Sequence, residues 1–167
     1  MDSILLDDLV LLFAFLFYAL LCVVYILRAR GLTKWELRLA PVFSFQLVPF
    51  VALWGLNLYS GNDSGRLLAL LPAIVYLVYD LWYRLLSGKK PYHHPEHWPP
   101  GLIVYLLLMF VGSVGLNWYG YLVSQLFGSG LVVAFFVMMG CYGYYQATYN
   151  RKTRAAAKNG NPPDPSV

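Results

Sequence analysis

Long apolar runs separated by short polar interruptions dominate the chain from residue 9 to residue 149. Five of them, about 9–27, 41–59, 67–86, 102–122 and 131–149, approach the 20 residues that cross a hydrocarbon core of about 30 Å at 1.5 Å per residue. Each predicts a membrane-spanning helix, because a backbone in lipid must satisfy its own N–H and C=O groups. A short N-terminus, four connections and a tail remain, which leaves no room for a separate soluble domain. The expected architecture is an all-α integral membrane protein: one five-helix bundle over residues 1–150, then a disordered basic tail over 151–167. Pro49 and Pro72 fall inside the second and third runs and predict bends whose freed carbonyls need partners on neighbouring helices.

Composition supports the bilayer. Apolar residues form 59% of the chain and charged residues 12%, about half the charged share of a soluble domain. The first run opens with Asp2, Asp7 and Asp8 in place of a basic region and lacks a small-residue cleavage pattern, so it reads as a retained span and not as a signal peptide. Charge then orients the bundle. Eleven of the 12 basic residues lie on alternate connections: Arg28, Arg30, Lys34 and Arg38; Arg84, Lys89 and Lys90; Arg151, Lys152, Arg154 and Lys158. Arg66 stands alone on the other side. The basic side is expected to be cytoplasmic, placing the N-terminus out and the C-terminus in. Trp35, Trp82 and Trp98 mark the inner boundary and Trp118 the outer, with Trp54 somewhat deeper.

This pattern predicts a multi-pass membrane location without separating a bacterial inner membrane from an organelle membrane. The net charge of +4 reads as a rim facing anionic lipid, so membrane lipids are the expected partners and nucleic acid is not. Asn62-Asp63-Ser64 matches a glycosylation acceptor, but its connection holds the asparagine against the membrane.

All three histidines lie in "HHPEH". His94, His97 and Glu96 are weak candidates for a metal, because His93 and His94 point apart and no further histidine completes a tetrahedral set. Pro91, Pro95, Pro99 and Pro100 forbid a regular helix through the segment, and a stiff connector explains it better. No cofactor is predicted. No span carries a lysine for a Schiff base, and no phosphate loop, dinucleotide fingerprint or nucleophile elbow is visible.

Asp80 is the acid set well inside a span, and an ionisable group there is by default a functional candidate. Tyr76, Tyr79 and Tyr83 share its helical face, and Arg84 one turn on offers an intrahelical ion pair. The fifth span repeats the pattern with Tyr142, Tyr145, Tyr149 and Gln146, while Gln46 enters from the same side on the second. Tyr18, Cys22 and Tyr25 form a stripe down the inner half of the first span. Convergence of these faces predicts an aromatic cavity open to the inner leaflet, with Asp80, Tyr76, Tyr79, Tyr83, Gln46, Tyr142, Tyr145 and Gln146 as ligand-binding residues. An interfacial tyrosine belt explains most of the same residues. Cys22 and Cys141, each inside an apolar run and without a C-x-x-C partner, read as packing residues. Gly112, Gly115, Gly130, Ala134, Gly140 and Gly143 favour close helix contact in the last two spans.

The chain resembles the translocator protein family in its five spans, length, aromatic content and a tryptophan-proline stretch before a span. The resemblance covers layout only: here "HWPP" precedes the fourth span instead of the second, so the family is set aside and no residue role carries over. Three functions stay open: binding or transport of a lipid or amphipathic ligand around Asp80, an accessory or assembly subunit, and an enzyme acting on a lipid at the cytoplasmic interface. Catalysis is the least favoured. A homo-oligomer or a partner membrane subunit fits the second.

Overall fold

The computed structural model describes residues 3–83 and 100–158, and the elements over them are helical: α1 (Ser3–Ala29), α2 (Thr33–Phe45), α3 (Leu47–Tyr59), α4 (Ser64–Leu81), α5 (Pro100–Val123) and α6 (Gln125–Lys158). Five stretches are long and apolar enough to cross a bilayer: Ile4–Ala29, Lys34–Tyr59, Ser64–Leu81, Ile103–Val123 and Gln125–Lys152. The protein is thus an integral, multi-pass bundle in which α2 and α3 together form the second span.

Local chemistry sets the boundaries. At Gly31 and Gly61 the backbone turns left-handed, with φ of 71° and 66°. Each glycine ends a helix with the same paired bonds: Leu32 N–H to Leu27 O (2.9 Å) and Gly31 N–H to Arg28 O (2.9 Å), then Asn62 N–H to Asn57 O (3.1 Å) and Gly61 N–H to Leu58 O (3.2 Å). The α5–α6 turn is Ser124 alone, whose hydroxyl accepts from Phe127 N–H (3.2 Å) and caps α6. Phe45 and Leu47 flank a break at Gln46. Pro49 has no N–H to return to Phe45, and Gln46 N–H tightens onto Phe43 O at 3.1 Å instead. Pro72, by contrast, is absorbed within a continuous α4.

Two boundaries differ from expectation. Helix α2 begins at Thr33, inside the expected basic connection, because Glu36 neutralises Arg28 there at 2.6 Å. Helix α6 continues through 151–158, which were expected to be disordered. Alanine, lysine and arginine dominate that stretch and are strong helix formers.

The spans close into a ring in chain order: α1 packs on α2 and α3, α3 on α4, α4 on α5, α5 on α6, and α6 on α1. Phe17, fully buried, sits near its centre, with ring centroids 5.5 Å from Phe43, 6.5 Å from Phe50 and 5.8 Å from Tyr76. This one side chain draws four helices onto a shared aromatic core.

The closest helix contact is between α4 and α5, not within the α5–α6 hairpin alone. A Cβ on Gly115 would fall 2.4 Å from Ala69 O, and one on Gly112 would lie 3.2 Å from Ala73 Cα. Small residues on both sides let these backbones approach. On α6, Gly140 and Gly143 are exposed and face open space. Gly115→Ala is therefore expected to destabilise the bundle by about 1–3 kcal/mol through overpacking, whereas Gly143→Ala is neutral or stabilising by up to about 1 kcal/mol. Thermal unfolding in one detergent checks both, and equal effects would contradict the packing described.

Candidate functional site: a polar centre at the α2–α4–α5 junction

Helix α4 buries Ala69, Ala73, Tyr76, Leu77 and Asp80, which recur at three- and four-residue spacing and so share one face. Asp80, wholly removed from the surface, accepts hydrogen bonds from Tyr105 Oη on α5 (2.8 Å) and Ser44 Oγ on α2 (3.2 Å). The Tyr105 proton is committed to Asp80, so Tyr76 Oη, 2.8 Å away, donates to Tyr105. The result is a directed relay, Tyr76 to Tyr105 to Asp80, that joins two helices, with Ser44 adding a third. Arg84, the expected ion-pair partner, lies outside the described residues.

Around this centre, the Tyr83 ring packs on Tyr105 at 5.9 Å and stacks on Tyr79 at 5.9 Å. Tyr79 donates to Gly101 O at 3.0 Å, tying α4 to the first turn of α5. Gln46, two residues after Ser44 and at the α2–α3 break, is only 3% exposed. Among the described residues, neither its Oε1 nor its Nε2 has a hydrogen-bond partner.

The α6 candidates assemble elsewhere. Tyr142 and Tyr145 pack on Tyr25 of α1 at 5.3 and 6.4 Å, and Gln146 Nε2 donates to Tyr142 Oη at 3.1 Å. The backbones of α4 and α6 do not approach each other among the described residues. The bridge between the two clusters is the bond from Tyr25 Oη to Met109 Sδ (3.2 Å), one turn along α5 from Tyr105. Of the eight expected ligand residues, Tyr76, Tyr79 and Tyr83 thus gather with Asp80, Tyr142, Tyr145 and Gln146 gather on the α1 side of α6, and Gln46 is buried at the α2–α3 break.

Three features were not anticipated. Tyr105 and Ser44, absent from the sequence-level site, each donate a hydrogen bond to Asp80. Cys22 and Cys141, distant in sequence, come within hydrogen-bonding reach of each other across α1 and α6, as free thiols. At the opposite end of the bundle, Asp7 on α1 is buried and pairs with Arg66 on α4 at 3.0 Å, while Tyr119 Oη on α5 donates to its other oxygen at 2.8 Å. Nearby, Asn62 Nδ2 donates to Asn57 Oδ1 at 2.8 Å, which gives the acceptor-pattern asparagine a structural partner.

Metal chemistry finds no support among the described residues, where no group of three or more His, Cys, Asp or Glu could hold an ion. His93, His94, His97 and Glu96 lie outside them.

The Asp7–Arg66 pair reads as a structural clamp. Asp7→Leu or Arg66→Met alone is expected to cost about 3 kcal/mol, the low end for a buried pair because the Arg66 side chain keeps 22% exposure. The double change should recover most of that loss in a thermal melt. A double variant no more stable than the weaker single one would contradict the clamp.

No family model, curated protein or solved structure matches the chain. The protein is an integral multi-pass membrane bundle whose buried aromatic clusters surround a hydrogen-bonded aspartate.

Proposed function

We propose that the protein binds a lipid or another amphipathic membrane ligand at the basic end of the bundle, with its polar group held at Asp80, Tyr105, Tyr76, Ser44 and Gln46. The observation that carries this reading is the Gln46 amide, buried with neither polar atom paired among the described residues. An unpaired buried amide costs about 1–3 kcal/mol, and a ligand offering both a donor and an acceptor offsets that cost. An acid kept inside a bilayer with hydroxyl donors around it supports the same reading, since such groups mark ligand and proton sites.

The α4–α5 seam has an outward side as well. There, Val75, Val78, Tyr79, Leu81, Trp82 and Leu108 line a shallow groove of about 400 Å³, apolar throughout and within the size range of ligand sites. An alkyl chain in this groove would place the polar end of a ligand at the level of Tyr79 and Asp80. With the basic end cytoplasmic, as the charge pattern favours, the ligand comes from the inner leaflet. Tyr142, Tyr145 and Gln146 then form the opposite wall of the basic end and do not touch the polar group.

A second reading, an accessory subunit, is favoured by the exposed α6 face. Gly140 and Gly143 offer open space between Phe136, Val137 and Tyr144, which suits a close-packed partner helix.

Native mass spectrometry of gently extracted protein tests the proposal. Wild type is expected to retain a small molecule that Asp80→Asn releases. Gln46→Leu should melt higher in ligand-free form yet bind at least about tenfold more weakly, a difference of about 1.4 kcal/mol. Undiminished binding by Gln46→Leu, or a wild type that stays empty across a panel of membrane lipids, would overturn it.

A further inference from the structure

We propose that a second groove, between α1 and α6 at the basic end, is a specific site for an anionic glycerophospholipid. It is independent of the Asp80 site and lies on the side of the ring away from the α4–α5 seam. Ile26, Arg30, Val137, Gly140, Cys141 and Tyr144 line a groove of about 400 Å³. Its floor is apolar and open at Gly140, where an added Cβ would meet nothing within 4 Å. Its end is cationic, through Arg30.

Arg28, two residues earlier, is neutralised by Glu36 at 2.6 Å. Arg30 is exposed and has no acidic partner among the described residues. Lys152, exposed on α6, reaches Ala29 O at 3.5 Å and lies 3.8 Å from where a Gly31 Cβ would be, so its ammonium joins Arg30 at the same turn. Among the described residues neither cation has a carboxylate partner: Arg30 lines the mostly apolar groove, and Lys152 stands beside it at the Ala29–Gly31 turn. A phosphodiester headgroup on Arg30 and Lys152, with an acyl chain along Ile26, Val137 and Gly140, satisfies both halves. A partner helix would fill the apolar half alone and leave the cations without counter-charge, which is why a lipid is the occupant chosen. Near a membrane surface each such cation contributes about 1 kcal/mol towards an anionic lipid.

The test is a titration of delipidated full-length protein with phosphatidylglycerol or phosphatidylcholine of identical chains, read by native mass spectrometry. Wild type is expected to bind the anionic lipid at least about tenfold more tightly. Arg30→Gln with Lys152→Gln should erase that preference while leaving the weaker phosphatidylcholine binding in place. Gly140→Leu, which fills the groove without touching charge, should weaken both lipids. Both variants change exposed positions, and an unchanged melting temperature would show that each is folded. Equal affinity for the two lipids in wild type, or an anionic preference that survives the double change, would overturn the site. So would full competition by glycerol phosphate, which carries the charge without the chains, and so would a dimer that binds neither lipid.

Discussion

A polar side chain carried into hydrocarbon is costly until it finds a partner, and, Gln46 apart, that constraint organises this bundle. Where water is absent, an aspartate cannot be left to solvent, so its donors must come from neighbouring helices and must arrive in register. Asp80 recruits Tyr105 from α5 and Ser44 from α2. Asp7 recruits Arg66 from α4 and Tyr119 from α5. Apolar packing is non-directional and tolerates rotation of a helix; these bonds do not. With one polar centre near each end, α4 and α5 are held in both rotation and depth, and the glycine contacts at Gly112 and Gly115 set how near they come.

The same arrangement gives α4 two faces with different work. Inward, it carries Tyr76 and Asp80 in a relay with a defined proton direction; outward, Val75, Val78 and Trp82 form an apolar groove over the same seam. Between them, Tyr79 is bonded to Gly101 O and stacked on Tyr83. The α1–α6 side differs in kind. Its tyrosines pack on one another, its thiols meet, and Arg30 and Lys152, without acidic partners among the described residues, sit outside, which suits contact with anionic lipid.

Much of the fold was legible in the sequence. Span number and approximate limits follow from apolar length alone, and Asp80 with Tyr76 was recognisable as a buried polar face from spacing on one helix. The partners were not. Tyr105 is one of 14 tyrosines, and nothing in its own neighbourhood distinguishes a residue that meets Asp80 across a seam from one in an interfacial belt. Ser44 is equally silent. Asp7 was read as part of an acidic terminus, because nothing local shows that Arg66, 59 residues on, returns to the same depth. The expected meeting of the third and fifth spans failed to anticipate the ring order, in which α5 and α1 stand between them. Equal depth, which periodicity can give, is not the same as adjacency. Within α6, the tail residues 151–158 show the converse: helix propensity carried the element past the end of the apolar run.

The central claim is that the hydroxyl relay onto Asp80 locks α4 to α5 and forms the polar centre of the protein. A double-mutant cycle of Tyr105→Phe and Asp80→Ala, measured by reversible unfolding in one detergent, addresses it most directly. The account predicts a coupling energy of about 1–3 kcal/mol, as expected for residues in one buried network. Losses that add to within about 0.5 kcal/mol, as for independent sites, would contradict it.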